Sequence, residues 1–460
     1  MSGRGRRGRC QGRRGRGQGK SCTARSARRS EQGNSERAGG SRVGARVGEG
    51  WFVSLEPGPQ RVEGLPPLSL PIMAAHYPSV PARWSDRRER HPAWDLVSRC
   101  DFILVGSAVL LSLIGAVMVY SATRVELTAV GGDPKFYLKR QLVWLGIGLV
   151  VMVVVALIDY HWLEQWAYVI YGFVVMALLA VLTHFGHVSL GAQRWFAVGP
   201  LEVQPSEFAA LALILVVAVY CSRQETMFPR NLVVVLTLAG VPILLVYKQP
   251  DLGTALIMSV VLMVMIVTSG ARLRYLVVLA LAAIAGLAAA VHFKLIHAYE
   301  LQRFTSFLHQ NTATSGANWN HAQSILAIAS GGAFGTGVFH GAATNGGFVP
   351  AQQTDFIFTA VGEQLGFAGG VLVIALFGVI AFRLLRAAQI ARDPLGRMLC
   401  SGALALLAFS VFQNVGMTIG LIPIAGIPLP FVSYGGSAMI VFFATVGLVV
   451  NVEMRRSARR

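Results

Sequence analysis

Four carboxylates stand where apolar runs begin, at spacings that admit proton chemistry. "QQTDFIFTAVGEQLG", residues 352–366, sets Thr354 and Asp355 directly before such a run and Glu363 inside it. "VQPSEF" sets Gln204, Ser206 and Glu207 at the head of a second run, and "KQPDLGT" sets Lys248 and Asp251 at a third. A carboxylate within reach of a hydroxyl can take its proton, and a nearby cation can stabilise an anionic leaving group. The competing reading is structural. Pro suits the first turn of a helix, and Ser, Thr or Asp there bonds the unpaired amides while the positive dipole end favours an acid. At Ser206, Asp251, Thr354 and Asp355 the residues alone favour capping. Glu207 and Glu363 resist that account, because a charge inside a membrane span costs about 2.5–3.5 kcal/mol on insertion scales. Arg194 and Lys248 stand at the same level and are their natural partners. A hollow where acids and cations converge suits an anionic, lipid-linked substrate.

The elements that must position these groups are membrane helices. Of 460 residues, 54% are hydrophobic and 13% charged, against about a quarter charged in a soluble chain. Ten long apolar runs start near Phe102, Gln141, Gln165, Ser206, Asn231, Thr254, Arg274, Phe356, Arg397 and Val432. As helices of ~18 residues or more, each is long enough for the ~30 Å hydrocarbon core. The expected fold is therefore an all-α polytopic membrane protein of ten transmembrane helices, with both termini cytoplasmic. In that orientation the inner loops and tail hold 12 Lys/Arg and the outer loops eight, as the positive-inside rule requires.

The expected organisation has four parts. Residues 1–95 form a basic Gly/Arg/Ser-rich disordered extension, and 96–453 the membrane domain. Within it, 293–356 is a large extracytoplasmic loop between helices 7 and 8, and 454–460 is a basic cytoplasmic tail. The net charge of +18 is concentrated at the N-terminus, where residues 1–50 hold 14 Lys/Arg against 3 acids. Such a segment buries no core. It could touch RNA or anionic lipid, and Met73 offers a second start, so no specific nucleic-acid partner is assigned. It has no apolar stretch of the kind a secretory signal needs. The five cysteines fall on the cytoplasmic side, where thiols stay reduced. No Cys/His spacing resembles a metal site.

The outer loops are the long ones. "NHAQSILAIASGGAFGTG" is apolar but too short to span, which points to an interfacial or re-entrant element. Its Gly-rich part, Ser330 to Gly337, lacks the preceding strand and the following Lys-Ser/Thr of a phosphate loop.

Several motifs then agree in order: "GAQRW…QPSE", "QPDLGTA", "TDFIFTAVGE" and "NVGM…GIPLPFVSYGGS". Together they resemble the RodA/FtsW/SpoVE family of shape, elongation, division and sporulation proteins, across about residues 102–452. The C-terminal motif and "GAQRW" are closer to the RodA branch, and "FYLKRQ" to the FtsW branch. The RodA branch is the nearer resemblance overall. It implies a peptidoglycan glycosyltransferase of the bacterial cytoplasmic membrane that polymerises lipid II at the outer face during elongation. Asp355 matches the family's catalytic base. Arg194, Lys248, Lys139 and Arg140 are candidates for the pyrophosphate, and Gln204, Glu207, Asp251, Thr354, Glu363, Ser433 and Tyr434 for the polar cavity. A class B penicillin-binding protein transpeptidase and other elongation or division complex proteins are the implied partners. No resident cofactor is implied, and a divalent cation at the pyrophosphate stays open.

Two motif positions depart from the family pattern. Pro-Glu before the Thr-Asp-Phe motif is here Pro350-Ala351, and the lysine three residues after the QPSE glutamate is here Ala210. The Asp-Pro of the long loop is also absent from "FLHQNTATSGANWNHAQS". The rival readings are a division polymerase of the FtsW type, a flippase for lipid-linked precursors, and a catalytically weakened scaffold.

Overall fold

The computed structural model describes residues 99–183, 186–189, 192–198, 201–224, 228–292 and 317–456. These all lie in one compact unit, Arg87–Arg460. The basic N-terminal extension, residues 293–316 of the large outer loop and the end of the tail lie outside the described residues, as do the expectations attached to them.

Each of the ten apolar runs falls on a helix. In chain order these are α1 (Phe102–Ala129), α2 (Phe136–Leu157), α3 (Tyr160–Val181), α4 (Pro205–Ser222), α5 (Pro229–Lys248), α6 (Leu252–Thr268) and α7 (Leu273–His292). After the outer loop come α8 (Ala317–Ser330), α9 (Ala342–Asn345), α10 (Ile357–Ile390), α11 (Pro394–Thr418) and α12 (Gly436–Met454). Eight of them are long and apolar enough to cross a membrane; α6, with 17 residues, and the apolar part of α7, Leu273–Gly286, fall short of that length. α8 covers the short apolar stretch and has 14 residues, too few to span ~30 Å at 1.5 Å per residue.

The middle of the bundle is α12, which packs against α2, with α4 and α11 beside it. Its central window is 89% buried, against 17% for the peripheral α3. Close approach is achieved through small residues. A methyl group at Gly447 would lie 2.5 Å from the carbonyl oxygen of Met152 in α2, so only glycine lets these backbones meet.

The chain before α4 departs from the all-α expectation. β1 (His187–Ser189), β2 (Ala192–Val198) and β3 (Leu201–Val203) form an antiparallel sheet in the order β1-β2-β3. The register pairs Ser189 with Ala192 and Phe196 with Val203. These strands are too short to show against the surrounding apolar pattern.

At the end of the bundle where α1 starts and α12 finishes, a polar clasp ties the helices together. Asp101 caps α1 by accepting from the Ile103 and Leu104 amides, and it pairs with Arg383 of α10. Arg383 in turn approaches Glu453 of α12 at 3.8 Å. His161 bridges the carboxylates of Asp159 and Asp393, at 2.9 Å to each, while the Tyr160 hydroxyl donates to Asp393 at 2.9 Å. The His161 bond holds the Asp159 carboxyl down at about 2.

Candidate active site

The turn carrying Asp355 hangs from one strained residue. Ala351 has φ of 52°, a left-handed conformation that non-glycine residues adopt at a cost and that clusters at functional sites. Its carbonyl accepts from the Thr354 amide, the Thr354 hydroxyl and the Asp355 amide, at 3.1, 3.1 and 3.2 Å. The helix proper starts at Ile357, so its N-cap is Phe356, which makes no side-chain cap bond. Thr354 spends its hydroxyl on Ala351 and is no cap, contrary to the sequence expectation. Asp355 stands one residue before the capping position and is half-buried.

Three further bonds hold this turn from outside, all at backbone carbonyls. The Tyr434 amide donates to Gln353 at 2.9 Å, the Ser433 hydroxyl to Thr354 at 2.5 Å, and the Asn414 side-chain amide to Asp355 at 2.8 Å. Ser433 also accepts from the Leu429 amide at 2.8 Å. The Asp355 carboxylate faces Gly426, where a Cβ would lie 3.4 Å from Oδ2.

A second cluster surrounds Asp251, which is 2% exposed. One oxygen caps α6 by accepting from the Thr254 amide at 3.3 Å. The other accepts from Ser206 and from the Gln204 amide, both at 3.2 Å. Ser206 is thus a partner of Asp251 and not a cap, because α4 already starts at Pro205. Arg194, reaching in from β2, donates to the carbonyl of Gln249 at 2.8 Å and to that of Pro250, with a guanidinium nitrogen 3.9 Å from Asp251. It staples the turn between α5 and α6.

Glu207 lines a small cleft with Ala210, Thr254, Ser410, Ile427 and Pro428. It lies close enough to Asp251 and Asp355 to feel their charge. The expected partnership with Arg194 is not formed, since that guanidinium is spent on the 249–251 turn. Among the described residues, Glu207 has no ion-pair partner. No three His, Cys, Asp or Glu among them are arranged to hold a metal ion.

The other cations sit apart from Arg194. Lys248 is exposed at the last turn of α5, and Lys139 is exposed and paired with Asp133 at 2.7 Å. Arg140 stacks over Phe136, 5.4 Å from the ring centre. Beside it, Tyr137 and Tyr434 meet edge to face at 5.0 Å. Burial pushes the Tyr434 hydroxyl up, and Arg140 opposes that shift. Gln141, one residue on, donates to the Ser433 carbonyl at 3.2 Å and ties α2 to the loop before α12.

Glu363 takes a different role from the one its type announces. It is fully buried and accepts from the amides of Ala343 and Thr344 at 2.7 and 3.0 Å and from the Thr344 hydroxyl at 2.6 Å. Neither expected cation reaches it; its charge sits on the start of α9. Gln352 then bridges the hydroxyls of Thr344 and Thr359, at 3.1 and 3.0 Å. Just beyond, α10 breaks at Gly366, with φ of 67° and ψ of −164°. The Gly-rich run replaces the helix bonds lost there. Thr336 and Gly337 donate to the carbonyls of Glu363 and Gln364 at 3.0 and 3.1 Å, and Phe367 and Ala368 donate to Gly332 and Ala333 at 2.9 and 3.0 Å. A Cβ at Gly335 would lie 2.1 Å from the Gln364 carbonyl oxygen, so the glycines serve backbone docking.

Residues 101–458 match the FtsW/RodA/SpoVE family of cell cycle proteins. The chain belongs to that family. Stage V sporulation protein E of Bacillus subtilis is 37% identical over 77% of this chain and 96% of its own length. Peptidoglycan glycosyltransferase MrdB of Escherichia coli is 36% identical over 81% of this chain and 98% of its own length. A solved peptidoglycan synthase complex, described as coordinating polymerization and crosslinking, contains a chain 28% identical with a TM-score of 0.65. That alignment covers 77% of this chain and 97% of that one.

Within this FtsW/RodA/SpoVE protein, the sequence-derived residues resolve into three groups. Asp355, Thr354, Ser433 and Tyr434 share one hydrogen-bonded turn. Gln204, Ser206, Asp251 and Arg194 share another, with Glu207 in the cleft beside it. Among the described residues Lys139, paired with Asp133, and the exposed Lys248 stand outside both networks, while Arg140 lies beside Tyr434. Asn414 and Gln352 went unweighed in the sequence, although a buried amide inside an apolar run is the signal that finds Asn414.

Proposed function

We propose that this protein polymerises lipid II into glycan strands at the outer face of the bacterial cytoplasmic membrane. Asp355 takes the proton of the acceptor sugar's 4-hydroxyl. The freed oxygen bonds to the donor's anomeric carbon, the bond from that carbon to the pyrophosphate breaks, and undecaprenyl pyrophosphate leaves. Arg140, Lys139 and Lys248 stabilise its charge, while Arg194 acts through the turn it staples. In this reading the chain spans the membrane ten times with the 293–356 loop outside, and Asp355 works at headgroup depth.

The observation that carries this reading is the Asp355 turn itself, fixed through the carbonyls of Gln353, Thr354 and Asp355 and one residue out of register for a cap. The opposite end of the bundle is clasped by His161, Asp393, Asp101 and Arg383. Alternating access would have to break those pairs, which favours one-sided chemistry over a flippase. Similarity to sporulation and glycosyltransferase relatives is nearly equal. The elongation role therefore rests on the RodA-like motifs, and a class B penicillin-binding protein is the partner that crosslinks the product.

The deciding experiment is glycan polymerisation from lipid II by the purified protein with its transpeptidase partner. Wild type is expected to make long glycan and Asp355→Asn none, a loss of at least ~10²-fold. Polymer from both would show that the base lies elsewhere.

A further inference from the structure

We infer that Asn414 is a positioning residue for Asp355, a role that rests on Asp355 being the base. Asn414 lies near the end of α11 and is 0% exposed. A buried amide in a membrane helix is costly unless bonded. Its nitrogen donates to the Asp355 carbonyl at 2.8 Å and to the Ile427 carbonyl at 2.7 Å. An amide nitrogen has two hydrogens, so both are committed.

The two acceptors belong to irregular segments with no ladder of their own: the 351–356 turn and the stretch between α11 and α12. The Asp355 carboxylate faces Gly426, next to Ile427. One side-chain nitrogen therefore sets how the Asp355 main chain sits against the very segment its carboxylate looks onto. The other clamps act elsewhere. Tyr434 and Ser433 hold Gln353 and Thr354, so they keep the turn attached without fixing the Asp355 peptide. Losing Asn414 would leave the turn in place but release the Asp355 carbonyl from its link to the Ile427 segment.

Neighbouring polar groups on α11 fit the same arrangement. Ser410, one helical turn earlier, is 0% exposed and lines the Glu207 cleft. Thr418, one turn later, is 0% exposed and its carbonyl accepts from Ser324 of α8 at 2.6 Å. The face of α11 that carries Asn414 thus joins the outer segments from the cleft to α8. A side chain that only satisfied carbonyls would matter for stability alone. A positioning residue should matter for turnover, since a displacement of about 1 Å in a reacting group costs on the order of 10²-fold.

The test uses the purified protein with its transpeptidase partner, following lipid II polymerisation and thermal unfolding in the same detergent. Asn414→Asp keeps the shape but offers at most one donor, and Asn414→Gln keeps both donors on a stem one methylene longer. Asn414→Asp is expected to lower kcat by roughly 10²-fold with KM nearly unchanged, and Asn414→Gln by about 10-fold, both below their unfolding temperatures. If Asn414→Asp does not fold, Asn414→Gln decides alone. Wild-type kcat in a folded variant, or a loss confined to KM, overturns the positioning role. Absence of polymer from wild type instead defeats the polymerase reading, and the role falls with it.

Discussion

Replacing Glu363 by Gln keeps the side chain's outline and removes its capacity to accept on both branches. Three donors converge on the carboxylate: the Ala343 amide on one oxygen, and the Thr344 amide and hydroxyl on the other. A carboxamide offers one oxygen. With that oxygen toward Thr344, its NH₂ confronts the Ala343 N–H; turned over, it confronts the Thr344 N–H. Either way one backbone donor at the start of α9 is orphaned, at about 1–3 kcal/mol. The surviving bonds also lose their charged acceptor, which makes such bonds roughly twice as strong as neutral ones. The expected destabilisation is about 3 kcal/mol, a drop of roughly 6 °C in melting temperature at ~2 °C per kcal/mol. Scanning fluorimetry in detergent would measure the drop, and hydrogen exchange at residues 342–346 would localise it. An unchanged melting temperature with unchanged exchange at Ala343 and Thr344 would refute the assignment of Glu363 as the anchor of α9.

Two further outcomes follow from the same coordinates. Gly366→Ala sets a Cβ 2.2 Å from the Gly335 amide nitrogen at φ of 67°, so both clash and left-handed strain oppose it. A loss of more than ~2 kcal/mol is expected in thermal unfolding, and wild-type stability would contradict the kink. At the clasped end, His161 holds the Asp159 carboxyl at about 2. A depressed carboxylate stabilises above its ordinary value near 3.9 and loses that contribution as pH falls toward 2. His161→Ala should therefore melt lower than wild type at pH 6 and converge with it near pH 2; parallel curves across that range would count against the bridge.

Apolar run length made the spanning helices readable, because the bilayer imposes a length and a composition that local context rarely disguises. It could not separate α10 into its two pieces. The break at Gly366 is created by a partner segment, the Gly-rich run, some thirty residues earlier in the chain, and nothing local to Gly366 specifies that pairing. The same limit explains Glu363. Its residue type and place inside a run announce a wet cavity, yet two of the three groups that satisfy it are backbone amides of a four-residue helix, and backbone amides leave no trace in residue identity.

The cap-or-base question turns on where each helix starts. Ser206, Asp251 and Asp355 all stand beside the head of an apolar run and look equivalent in the sequence. In the fold α4 begins at Pro205, α6 at Leu252 and α10 at Ile357. Ser206 is therefore already inside its helix, Asp251 stands at the N-cap, and Asp355 is one residue too early. Asp251 meets the geometry in which a side-chain oxygen reaches the amides of the first turn, and it does so through Thr254. Helix starts read from sequence carry an uncertainty of about two residues, wider than the single residue that separates these roles. What places Asp355 outside the capping register is Ala351, whose left-handed backbone closes the turn early and leaves Phe356 at the N-cap. The feature that distinguishes a candidate base from a cap is thus a backbone angle at an alanine, which residue identity does not announce.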